Sequence, residues 1–111
     1  VSSHVNHELA LRARVLLAGS EPPTPWQAYQ AHRLLARVNP VVHLPKLALA
    51  AIELTRHHPV LIRRDLQLQL LDEALDAASR IPVDDPYRPR ALARILEEHA
   101  ERLRQLGITP S

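Results

Sequence analysis

The chain has 111 residues, enough for one domain that hides roughly two-thirds of the surface its unfolded form exposes. It is rich in Leu and Ala, has no Phe and lacks Cys, which excludes a disulfide, a thiol nucleophile and a Cys-based zinc site. The formal net charge is only +2, so the sequence pI of 9.7 is weak support for nucleic-acid binding.

The first helix is predicted from about Val5 to Ala18, stopped by Gly19. Residues 1–4 are expected to be a disordered or leftover extension, and 108–111 a tail. This helix carries aliphatic residues on two sides, Val5, Leu9 and Leu16 on one, Leu11 and Val15 on the other. His4 and His7 stand beside Glu8 at a spacing compatible with a metal ion. At a chain end that spacing is not specific, and no metal or cofactor is expected.

The second helix opens with Thr24-Pro25-Trp26-Gln27. Thr24 serves as cap, Pro25 as first helical residue and Gln27 as the return half of a capping box. Its apolar arc is Ala28, Ala31, Leu34, Leu35 and Val38. Trp26, Tyr29, Arg33 and Arg37 form a stripe on the opposite side, in residue types enriched at binding hot spots. The competing reading packs the aromatics under Pro22-Pro23 or beneath Arg33.

Asn39-Pro40 is read as the end of that helix, and a third helix as running from about Leu44-Pro45 to His57-His58-Pro59. The fourth, from Val60 to Arg80, is predicted as the longest. Ile62, Leu66, Leu68, Leu70, Leu71, Ala74, Leu75 and Ala78 cover over half of it, as expected of a central or shared helix. Arg63, Arg64 and Gln67 fall in the same arc, with His57 and His58 just before it. That corner is a candidate for holding a carboxylate or phosphate, against arginines that reach outward to acids of another helix.

Asp84-Asp85 read as a turn and cap before the fifth helix, which ends at Leu106 with Gly107 as its stop. Leu92, Leu96, His99, Leu103 and Leu106 form its seam, with Ile95 and Ala100 beside it. Arg94, Glu97, Glu98, Glu101, Arg102 and Arg104 form the solvated side. His99 on the seam is expected to be a hydrogen-bonded core or interface histidine.

The whole is one all-α bundle of about five helices spanning 1–111. No segment is apolar enough for a membrane span or reads as a signal peptide, so a cytoplasmic protein is expected. Catalytic and phosphate-loop motifs are missing, and a helix-turn-helix is disfavoured because the fourth helix is too evenly apolar. Surplus apolar surface on two helices points to a homodimer, and the aromatic–arginine stripe to a peptide or protein partner. A second reading is a small accessory enzyme that preorganises a peptide or small molecule, as in peptide natural-product maturation. Its proton-transfer candidates are His57, His58 and His99. Nucleic-acid binding ranks third.

Overall fold

The computed structural model describes residues 2–19 and 21–108, with side chains from Glu8 onward. Five α-helices follow in order: α1 (Ser2–Ala18), α2 (Pro25–Val38), α3 (Pro40–Leu54), α4 (Arg64–Ser79) and α5 (Arg88–Gln105). A single 3-10 turn, Val60–Ile62, precedes α4. No strand occurs among the described residues, and no helix there is long and apolar enough to cross a membrane. Residues 1 and 109–111 lie outside the described residues; α1 begins three residues ahead of its expected start.

Helix ends form as their residue types dictate. The Gln27 amide donates to Thr24 Oγ1 (3.1 Å) and the Thr24 amide to Gln27 Oε1 (3.0 Å), closing the capping box. At the other end of the fold, Gly107 takes φ +74°. Ile108 N–H then reaches Leu103 O (2.9 Å) and Gly107 N–H reaches Arg104 O (3.1 Å), satisfying two carbonyls that α5 would leave open.

The centre of the bundle is α3, not α4. Leu44, Leu47, Ala48, Ala51, Ile52 and Leu54 are all buried, and α3 packs on α2, α4 and α5. Pro40, read as a stop, is instead the first residue of α3, a position that needs no N–H. Pro45 lies inside the helix near its start. The carbonyl it cannot bond belongs to Val41, an exposed residue whose oxygen can turn to water.

The fourth helix is shorter than expected because Arg63 is extended (φ −117°, ψ 95°) and separates the 3-10 turn from α4. The side chain of Gln67, only 4% exposed, holds this break by donating to Leu61 O (3.0 Å) and Thr55 O (3.4 Å). The core face of α4 is Gln67, Leu70, Leu71, Ala74, Ala77 and Ala78. Leu68 and Leu75 are exposed, as is Ile62 in the turn.

On α5 the buried stripe is rotated from the expected seam. Leu96 is 53% exposed, whereas Arg102, assigned to the solvated side, is 7% exposed. Ile95 is fully buried, and Arg102 stands seven residues on, two turns along the same line. Arg102 Nε donates to Thr55 Oγ1 and a terminal nitrogen to Thr55 O, both at 2.9 Å, while the other reaches Gln105 Oε1 (3.1 Å). A guanidinium thus closes the C-terminal end of α3, where a cation is favoured. Ahead of α5, Asp85 accepts from the Tyr87 amide (3.1 Å), shaping the turn rather than capping the helix.

The first helix stands apart. Ala10, Ala13 and Leu17 pack on Ala31 and Leu35 of α2, forming a small cluster separate from the main core. With α1 on one side and α3 on the other, α2 has two buried sides, which decides the site below.

Candidate functional site

The capping box and Pro25 fix the first turn of α2 and place Trp26 at the bundle rim, 52% exposed. Across from it the chain leaves α3 at Leu54, runs through His57-His58-Pro59 and returns at Val60. Leu66 of α4 completes the wall of a largely apolar cavity of about 670 Å³. Leu54 and Val60 are buried and belong to the main core, so the floor is part of the bundle itself.

One turn along α2, Tyr29 packs 5.7 Å from Trp26, ring centre to ring centre, at a tilt of 33°. Tyr29 is buried in the main core, which corrects its expected place on the outer stripe. At Tyr29 the side of α2 opposite Ala31 is covered by the main core, while Trp26 and Arg33 on either side of it stay exposed. The Tyr29 hydroxyl donates to Glu73 Oε2 of α4 at 2.5 Å. Burial first, then this bond to a carboxylate, pushes the phenol up to about 12. Arg33, exposed, approaches Glu73 Oε1 at 3.8 Å. Tyr29, Arg33, Gln69 and Glu73 line a second cavity of about 320 Å³ that shares Trp26, Val60 and Leu66 with the first. The two form one groove, apolar at the Trp26 end and polar at the Arg33 end.

The structure therefore joins Trp26, Tyr29 and Arg33 with His57 and His58, two candidate surfaces that lie far apart in sequence. Arg37 does not line the groove but an adjoining charged cleft of about 510 Å³, which shares Arg33 and Glu73 with it and adds Asp72, Asp76 and Arg80. The expected anion corner does not assemble. Arg63 spends its guanidinium on Asp65 (2.8 and 3.1 Å), while Arg64 reaches the carbonyl of Leu106, just past the end of α5 (3.4 Å). Gln67 is committed to backbone carbonyls and presents nothing to a partner.

His57 Nε2 donates to Glu53 Oε1 at 3.0 Å on the cavity edge. That bond chiefly holds the Glu53 carboxyl below its ordinary value, with Arg56 adding to it against the cost of burial. His99 is half-buried outside the groove, and its Nε2 has no hydrogen-bond partner within the chain, so it is not the hydrogen-bonded core histidine that was one of its two expected roles. Among the described residues no three His, Asp or Glu converge as a metal cage, and the side chains of His4 and His7 lie outside them.

Leu54, Val60, Leu66 and Glu73 were not legible as site residues. The aliphatics read as ordinary core, and Glu73 is 44 positions from the hydroxyl it accepts. Comparison with protein families, curated proteins and solved structures found no match.

Proposed function

We propose that this chain is a helical binding module whose groove between α2 and the α3–α4 corner takes a peptide segment of a protein partner. An apolar anchor side chain enters beside Trp26, and polar groups next to it meet Arg33, Gln69 and Glu73. The observation that carries this reading is a half-exposed Trp on the wall of a cavity floored by Leu54, Val60 and Leu66. Such a pocket is apolar, ringed by a few convergent polar groups and provided with the aromatic that most often dominates binding energy.

Selection of a random twelve-residue peptide library against the protein, with Trp26→Ala as counter-selection, tests it. Enriched peptides carry a bulky apolar residue and bind the variant at least roughly tenfold more weakly. Peptides that bind both proteins equally, or no enrichment at all, contradict the proposal.

Self-association is part of the same reading. Leu11 and Val15 of α1, and Val38, Val41 and Val42 around the α2–α3 corner, expose more aliphatic surface than a monomer of this size needs. Sedimentation across a concentration series should give a dimer that Leu11→Glu and Val15→Glu dissociate; a monomer at every concentration refutes this part. The Glu53–His57 pair at the cavity edge favours a second reading, in which the module preorganises a bound peptide and His57 accepts a proton. Turnover of a selected peptide that disappears with His57→Gln would support it.

A further inference from the structure

His32 of α2 and His43 of α3 stand on either side of Asn39, the single residue that joins the two helices. Their Nδ1 atoms approach to 3.2 Å, with ring centres 5.4 Å apart and planes tilted by 33°. The nitrogens face one another, and the rings are not stacked. Both rings are half-buried, and His32 opens onto a cavity of about 500 Å³ between α2, α3 and α5. A hydrogen bond between them needs one proton on one of the two nitrogens.

The same separation suits one small cation. With metal–nitrogen distances of about 2.0–2.1 Å, two ligands at a tetrahedral angle stand about 3.3 Å apart, and at a right angle about 2.9 Å. The observed spacing lies between those limits. We propose that His32 and His43 form a bis-imidazole site for a late first-row divalent cation, with water from the cavity completing its coordination. Cu(II) is the preferred ion, ahead of Ni(II) and Zn(II), because two imidazoles and open positions offer no geometry that overrides the usual affinity order.

Binding requires both nitrogens free of protons. A neutral pair meets this by tautomerism, the shared proton moving from Nδ1 to Nε2 of its own ring. The neighbours limit affinity. Lys46 and Arg14 oppose a cation, and Arg94 and Arg56 share the cavity wall with Glu53 and Glu98. Arg56 already engages both carboxylates (3.0 and 4.0 Å), so they offset little of this charge.

The test adds Cu(II) to the full chain at pH 7 and counts coordinated imidazoles by pulsed electron paramagnetic resonance. The wild type and a His57→Gln/His58→Gln control should show two imidazoles on one stoichiometric equivalent. His32→Gln and His43→Gln should each show fewer and bind at least roughly tenfold more weakly. A two-imidazole signal that survives His32→Gln, or that is lost only in the control, overturns the proposal, as does absence of a stoichiometric site. A measurement without variants guards against misfolding: in long-range ¹H–¹⁵N spectra, Zn(II) must shift Nδ1 of both His32 and His43. Shifts confined to other histidines overturn it equally.

Discussion

Replacing Arg102 with Met tests whether one guanidinium ties α5 to the end of α3. Met keeps most of the buried volume and removes the charge and the donors. Arg102 gives two 2.9 Å hydrogen bonds to Thr55, one to its hydroxyl and one to its carbonyl. After substitution the Thr55 hydroxyl still donates to Ile52 O (2.6 Å), but the Thr55 carbonyl keeps only the long 3.4 Å bond from Gln67. Hydrogen bonds from a charged donor contribute about 1.5–3 kcal/mol each, and the released cost of burying the cation offsets part of that. A net destabilisation of about 2–3 kcal/mol is expected, or roughly 10–20 °C in Tm for a domain of this size. Urea denaturation with a Thr55→Val cycle measures it. The two substitutions should fall short of additivity by about 1–2 kcal/mol, because they remove the same contact. Arg104→Met, on an exposed residue two positions on, should leave the midpoint unchanged. If Arg102→Met unfolds at the wild-type midpoint, the clasp holds nothing and the account of α5 docking is wrong.

Two further outcomes follow. The His32 imidazole is depressed to about 4 from an ordinary 6.5, so the native state binds fewer protons than the unfolded chain in that window. Its contribution is full above pH 6.5 and is lost as pH falls towards 4. About 1–2 kcal/mol should disappear after discounting for solvent screening of a half-exposed pair. Urea midpoints at pH 7 and 4.5 should differ less in His32→Gln than in the wild type; equal differences would contradict this. Thr24→Ala removes the hydroxyl that accepts from the Gln27 amide, leaving only the backbone half of the capping box, and should cost about 0.5–2 kcal/mol, with weaker peptide binding because the first turn carries Trp26. Calorimetry and titration of the same variant check the two effects together.

Local chemistry carried most of what the sequence made legible. Thr24, Pro25, Gln27 and Gly107 act through atoms within a few residues, so their roles as cap and stop could be read directly. The stripe of Trp26, Tyr29 and Arg33 was also legible, because helical spacing puts them on one line. What that line meets was not. Periodicity assigns residues to a side of a helix, but α2 is covered on two sides, so the supposedly outer Tyr29 is core. Arg102 read as solvated for the same reason: a buried cation needs the end of another helix as its partner, and Thr55 is 47 residues away. Pro40 and Pro45 misled in the opposite direction. Both read as boundaries, yet a helix tolerates proline near its start, so its most central helix was placed several residues late. The His32–His43 pair has no helical spacing at all; only the one-residue corner at Asn39 brings those rings together.

The most direct test of the binding-module account is chemical-shift mapping with a peptide selected on the wild type. Residues around the groove should respond first: the Trp26 indole, the Leu54, Val60 and Leu66 methyls and the Arg33 side chain. The Trp26 emission should move to shorter wavelength as the half-exposed indole is covered. Shifts confined to the exposed aliphatics of α1, to Leu68 and Leu75 on the outer side of α4, or to Arg37, Asp72, Asp76 and Arg80 in the charged cleft would contradict the assignment of the groove.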